Sequence, residues 1–450
     1  MPSTVPSSPA STTSPRSKTL VARLRTSKGV RAGAIVALAT IVMNGASYLY
    51  NIACIRYLGS RVYGDVAAVL ALVALVSLPL GSVQILLARE VAQVPGRRVG
   101  GLLRRWMLRA AVGALAVLLL GVALLAPLQD ALNISSRSVL AIGLVGIVFA
   151  VLGAVLFGVL QGALRFGSLA LTYGVGGLAK PILIVPALLL GFGAVGALTV
   201  NSFAGLIAVL IGAWALRDFW SAGDEGDAPP HDVRQMVVML VGSLAFASLT
   251  NADILLAKYF LDDASAGVYA AAALVGKAVL FLPAAVVTVL LPKAALREAI
   301  GTTSQGILLA SAGVTLVVTL AATAVIALVP EKTIVWLFGG EFRESTELLG
   351  WFGLAMTAAA LVNVYLSVYF AQRDARFPLV VLAAAVAQVV GVSLFHGSPL
   401  SIVIVTLVCA GSVLLLHELF FRHSLIRVIA AYRRRPVSAA NVTARAHRPG

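Results

Sequence analysis

Residues 51–69 read NIACIRYLGSRVYGDVAAV, and residues 251–274 read NADILLAKYFLDDASAGVYAAAAL. In each stretch an apolar run ends in a short turn carrying a basic-aromatic pair, and a second apolar run follows. Around the first stretch, apolar sequence extends back to about residue 32 and forward to about residue 88. A helix needs about 20 mostly apolar residues to cross a bilayer. By that measure the chain holds twelve runs, at 32–55, 63–88, 106–127, 138–160, 167–190, 194–216, 235–258, 266–291, 306–329, 348–370, 377–395 and 400–420. Only helices or closed barrels satisfy backbone polar groups in lipid. Barrel strands alternate over about ten residues, and these runs are longer and continuous. The expected fold is therefore an all-α polytopic membrane protein with twelve transmembrane helices.

Composition agrees. Of 450 residues, 60% are hydrophobic and 12% charged, with a mean hydropathy of +0.98. Soluble proteins carry about 25% charged residues. An ordinary cytosolic enzyme, a disordered chain and a nucleic-acid-binding body are excluded. The net charge of +16 comes from Lys and Arg in tails and short connections between the runs, where it faces anionic lipid and requires no nucleic acid. With both termini in the cytoplasm, 26 of the 34 basic residues fall on the inside and 6 on the outside, leaving Lys180 and Lys277 within runs. That asymmetry orients the chain. Residues 1–30 and 421–450 are then basic cytoplasmic tails, the first expected to be disordered. Cys54 and Cys409, both in apolar stretches, give no disulfide framework or thiolate metal site.

The longest internal polar stretch, Asp218 to His231, splits the runs six and six. It implies a bundle over 31–216, a cytoplasmic linker over 217–234 and a second bundle over 235–420. Landmarks recur between the halves at similar offsets. Arg56-Tyr57 matches Lys258-Tyr259, Tyr63 matches Tyr269, Leu86-Leu87 matches Leu290-Leu291, and Pro79 matches Pro283. Like halves in the same orientation are related by an axis along the membrane normal, with a cavity between them. The expectation is two pseudo-symmetric six-helix bundles.

The stretches LYNIACIRYLGSRVYGDVAAVLALV (49–73), LPLGSVQILLARE (78–90) and NADILLAKYFLDDASAGVYAAAALVGKAVLFLP (251–283) resemble the openings of the two halves of bacterial polysaccharide transporters. These are the lipid-linked oligosaccharide flippases of the multidrug/oligosaccharidyl-lipid/polysaccharide exporter superfamily. The resemblance implies a V-shaped pair of bundles that alternate access to a central cavity. The implied cargo is a polyprenyl-diphosphate-linked sugar crossing the plasma membrane. A multidrug extruder of the same superfamily, or a membrane scaffold in envelope assembly, are the alternatives.

Charges within hydrocarbon are costly and usually face a cavity or a partner. Lys277 lies near the middle of run 266–291, among Ala271, Ala272, Ala273 and Gly276. Lys180 lies in run 167–190 on one face with Tyr173, Gly176 and Gly177. One cation from each half suits an anionic diphosphate between the bundles. Asp253 is the carboxylate well inside a run; it reads as an ion-coupling site, or else as an ion pair with Lys258 or Arg56. Asn44, Tyr48 and Asn51 form a polar stripe with Thr40 on the first run. Such a stripe lines a sugar-binding cavity or binds helices together. Arg56 joins the substrate-binding candidates, although its place at a helix end also fits a headgroup contact. Pro79, Pro181, Pro186 and Pro283 are expected to kink their helices.

Enzyme readings find no support. The first outer loop, about Arg56 to Val62, has no acid for a polytopic glycosyltransferase, and the longest, Pro330 to Leu348, is short for a polymerase. His231, His396, His417, His423 and His447 lie in loops, tails or helix ends. No phosphate-binding Gly-rich loop with Lys-Ser/Thr occurs. No cofactor or metal is expected. The expected partners are membrane lipids and a polysaccharide polymerase or glycosyltransferases.

Overall fold

The structure, a computed structural model, describes residues 27–220, 232–298 and 304–421. The tails 1–30 and 421–450 and the acidic connection around 221–231 fall largely outside them, as do His231, His423 and His447. Fourteen α-helices follow one another in the described residues. They are α1 (Ser27–Gln93), α2 (Val99–Ala123), α3 (Leu125–Leu132), α4 (Arg137–Gly162), α5 (Phe166–Leu189), α6 (Gly193–Ala215), α7 (Arg217–Trp220), α8 (Val233–Phe260), α9 (Asp263–Glu298), α10 (Ser304–Ala327), α11 (Glu331–Phe338), α12 (Ser345–Gln372), α13 (Arg376–Leu394) and α14 (Pro399–Phe420).

Eleven of these are long and apolar enough to cross a membrane. The difference from twelve runs lies in α1, which carries both 32–55 and 63–88. The two arms meet at Gly59, with φ 73 and ψ 172. That conformation favours glycine, because a Cβ would clash with its own backbone. The sequence between the arms contains no polar loop, so helical hydrogen bonding resumes at once. Pro79, Pro181 and Pro186 lie inside their helices, and the break in α1 falls at Gly59 instead. Caps set several starts. Ser136 accepts the Ser138 N–H ahead of α4, Asp232 accepts the Gln235 N–H ahead of α8, and Ser398 forms a capping box with Ser401 ahead of α14. Each satisfies an otherwise orphaned N–H.

Helices α1, α2 and α4–α6 pack into one lobe, and α8–α10 and α12–α14 into the other. Both arms of α1 run along the interface, against α8 and α9. The apolar cores show how the lobes meet. At the end carrying the α8–α9 turn, one buried cluster crosses the interface, joining Tyr50 and Tyr63 of α1 to Ala257, Tyr269, Phe338 and Phe352. Toward the other end the cores separate. Leu87, Leu103, Trp106, Leu156 and Leu160 fill one lobe; Tyr365, Tyr369, Phe377 and Val413 fill the other. There the interface is bridged by Ser82 Oγ and Ser243 Oγ, 2.6 Å apart.

Small residues bring the helices together where apolar burial gives little drive in lipid. A Cβ on Gly162 would stand 2.5 Å from the Ala88 carbonyl oxygen and 2.6 Å from Val91 Cβ. Gly162→Val should therefore part α4 from α1 and destabilise the fold by about 2–3 kcal/mol, the usual cost of overpacking. Thermal unfolding in detergent would read this as a lowered midpoint. Gly113→Ala, which meets nothing within 4 Å, should leave it unchanged.

Candidate functional site: a cationic cavity between the lobes

A cavity of about 470 Å³ lies between the lobes. From α1 come Met43, Ser47, Tyr50 and Asn51 on the first arm, and Tyr63, Ala67 and Ser77 on the second. From α5 come Thr172, Tyr173, Gly176, Gly177 and Lys180, and from α6 Asn201 and Ala204. The second lobe adds Asn251 of α8 and Ala270, Leu274 and Lys277 of α9. The spacing of Tyr173, Gly176, Gly177 and Lys180 is one helical face. Gly176 and Gly177 sit tight against Ala208 and Met43, so α5 approaches α6 and α1 closely while the longer side chains on its face reach the cavity.

Both midspan lysines reach this cavity, one from each lobe. Lys277 Nζ donates to Asn251 Oδ1 at 2.8 Å. Lys180 is half-buried, and among the described residues no hydrogen bond or ion pair engages it. Among the described residues the lining contains no carboxylate; its other polar groups are hydroxyls and amides. Two ammonium groups in a lining whose other polar groups are neutral make a site for an anion, with the carboxylate of Asp253 behind the wall rather than in it. Tyr173 OH accepts from Gln84 Nε2 at 3.0 Å, and Gln84 also donates to Gln161 Oε1 at 3.1 Å. This fixes the phenol at the cavity wall.

The remaining sequence candidates are placed differently. Asn51 lines the cavity and donates to Ser47 O at 2.8 Å. Asn44 and Tyr48 are not among the lining residues. Besides Asn51, the lining side of the first arm follows Met43, Ser47 and Tyr50, and Met43 and Ser47 stand one position, or about 100°, around the helix from Asn44 and Tyr48. Thr40 bonds back to Val36 O at 2.9 Å, a local use of its hydroxyl. Arg56 is exposed at the α1 bend, beside Gly339, and lies away from the cavity.

Asp253 is fully buried behind the lining. Its Oδ2 accepts from Tyr269 OH at 2.9 Å, and its Oδ1 has no hydrogen-bond partner. Its charge and that of Lys277 interact. It does not pair with Lys258 or Arg56: Lys258 instead contacts Asp65 at 2.8 Å and Asp263. Nearby, Gln388 donates to Thr406 Oγ1 at 3.0 Å and Leu249 O at 3.2 Å, while its own Oε1 is unpartnered. Sequence reading passed over Gln388 and Thr406. Each is a single polar residue in an apolar run, and only tertiary packing brings them together. The halves repeat one local device, since Asn51 bonds Ser47 O and Asn251 bonds Ala247 O, each four residues back.

The fold is shared with solved transporters. The chain is similar to the lipid II flippase MurJ in its inward closed conformation, with a TM-score of 0.63 and 11% identity over 89% of this chain and 88% of that one. It is similar to the MATE multidrug transporter DinF-BH, at 0.59 and 15%, over 91% and 96% of the two chains. An inward-facing multidrug resistance MATE transporter of the MOP superfamily gives 0.54 and 17%, over 90% and 100%. None of these neighbours is an enzyme. No curated protein sequence matches the chain. The family described as polysaccharide biosynthesis protein matches residues 30–295, well over half of the chain and the whole α1–α9 interface, so the chain belongs to that family.

Proposed function

We propose that the chain is a flippase. It moves a polyprenyl-diphosphate-linked oligosaccharide across the bacterial plasma membrane by alternating access, for assembly of a cell-surface polysaccharide. One observation carries the reading: Lys180 and Lys277, contributed by opposite lobes, line one cavity that has no carboxylate among the described residues of its wall. A multidrug extruder that accepts organic cations would need the opposite sign there. A scaffold would have no use for two lysines whose desolvation is costly. Lys is a compact point charge that suits a diphosphate without demanding one planar geometry. Asn51, Asn201, Asn251 and Tyr173 supply the hydroxyl and amide groups a sugar needs. The family and the shared fold support the same reading, and the excess of basic residues on one side supports cytoplasmic termini. The product would be taken up by a polymerase or glycosyltransferases.

Asp253 is the ion-coupling group of this proposal. Its unpartnered Oδ1 can take a proton or a cation. When ionised, Asp253 competes with the substrate diphosphate for the charge of Lys277; once neutralised, it releases Lys277 to the substrate.

The test is reconstitution into liposomes with a labelled lipid-linked oligosaccharide in one leaflet. Transfer to the other leaflet is read by accessibility to a glycosidase or lectin outside. Transfer at rates well above protein-free liposomes is expected. Efflux of a cationic dye with no lipid transfer would establish the extruder reading, and neither activity would favour the scaffold.

A further inference from the structure

We propose that a buried charge latch, centred on Lys258, holds the α8–α9 end of the lobe interface shut. This rests on the alternating-access reading, which requires that end to open. Lys258 belongs to the second lobe and is 2% exposed. Its Nζ lies 2.8 Å from Asp65 Oδ1 of the first lobe and also contacts Asp263 Oδ1 at the start of α9. Asp65 is itself 3% exposed, and its Oδ2 accepts the Ser135 N–H at 3.0 Å. Asn133 Nδ2 reaches Asp263 Oδ1 at 3.4 Å. The connection between α3 and α4 is thus drawn into the same cluster.

A second tie stands beside it. Glu341, from the turn after α11, accepts both the Ser60 N–H and the Ser60 hydroxyl at 2.9 Å. These bonds hold its carboxyl below the usual carboxylate range. Beneath both ties the backbones touch: a Cβ on Gly267 of α9 would stand 1.9 Å from Ser60 O.

The opposite end has no equivalent among the described residues. There the lobes are bridged by two neutral hydroxyls, Ser82 and Ser243. Charge-assisted hydrogen bonds are roughly twice as strong as neutral ones. A buried cation shared between lobes also cannot lose one partner without leaving a carboxylate or ammonium uncompensated in a dry interface. Among the described residues the charged ties across the interface thus lie at the α8–α9 end. By the distribution of basic residues, that end faces outward. Opening it requires water to reach Lys258 and Asp65 together, so that both charges are rehydrated in one step.

The experiment places spin labels at Tyr57→Cys and Tyr259→Cys in a Cys54→Ala, Cys409→Ala background, in lipid nanodiscs. The two tyrosines are 53% and 54% exposed and flank the latch from opposite lobes. Pulsed dipolar spectroscopy should find a single short distance in the labelled parent. Lys258→Met should raise a longer-distance population roughly tenfold or more, a shift of about 1.4 kcal/mol. Asp65→Asn, which keeps the Lys258–Asp263 pair, should raise it less. Gly267→Ala wedges the same seam and is the control that the labels report opening. If the Lys258 variant does not fold, Asp65→Asn gives the same readout. An unchanged distance in folded variants, with Gly267→Ala widening it, overturns the latch. No lipid-linked sugar is present, so failure of the flippase reading leaves this result standing.

Discussion

Replacing both Lys180 and Lys277 with alanine is expected to abolish transfer of the lipid-linked oligosaccharide while leaving the protein folded. Each lysine offers a charge-assisted contact to an anionic headgroup, worth about 1.5–3 kcal/mol. Each single variant should therefore lose roughly ten- to a hundredfold in substrate affinity, and the pair roughly a hundred- to ten-thousandfold if the contacts add. Lys180→Ala should be the cleaner variant, because no described residue depends on Lys180 as a partner. Lys277→Ala also removes the donor to Asn251 Oδ1, leaving an amide oxygen to be satisfied by water in the cavity. In cells the double variant should lose surface polymer and accumulate the lipid-linked precursor on the cytoplasmic side. Lys180→Arg and Lys277→Arg should recover part of the activity, since charge returns without the compact shape. Normal polymer with altered dye efflux would instead mark the cavity as a cation-extrusion site.

The lysines could be found in the sequence because charge in an apolar run has few explanations. The helices were legible for the same reason: period and length in lipid leave little choice. Three features were not. The first is the join of two runs into α1. Nothing in NIACIRYLGSRVYGD separates a loop from a bend at one glycine, because both carry the same residues. The second is the face of the first arm that lines the cavity. A polar stripe marks a side that avoids lipid, yet a helix at an interface has neighbours on several sides. Asn44 and Tyr48 fall one position past the lining Met43 and Ser47, while Asn51 of the same stripe lines the cavity. The third is the partnership of Lys258. Its carboxylates lie at Asp65, almost two hundred positions earlier, and at Asp263, just past the turn. By sequence distance Asp253 was equally eligible, but within a helix a side chain five residues along points to a different side. Asp253 therefore turns to Tyr269 and Lys258 toward the other lobe.

Asp253→Asn is expected to separate movement from accumulation. Asparagine is close in size to the carboxyl and keeps an oxygen for Tyr269 OH, which now donates at 2.9 Å. Its amide NH₂ takes the place of the unpartnered Oδ1. The fold should tolerate the change within about 1 kcal/mol. What disappears is the charge that competes for Lys277 and the group that takes up the coupling ion. The variant corresponds to the neutralised state held permanently, with Lys277 free for the diphosphate. Downhill exchange of labelled lipid-linked sugar between leaflets should continue, with substrate bound more tightly than in the parent. Accumulation against a gradient should fall to the passive ratio. One charge moved across 100 mV is worth about 2.3 kcal/mol, or roughly a fiftyfold ratio across the membrane. Loss of Asp253 should erase an effect of that size when a potential or ion gradient is imposed on liposomes. Asp253→Glu should retain part of it. If Asp253→Asn still accumulates substrate as the parent does, the coupling ion does not act at Asp253. Its carboxyl then serves only to orient Tyr269 and to balance Lys277.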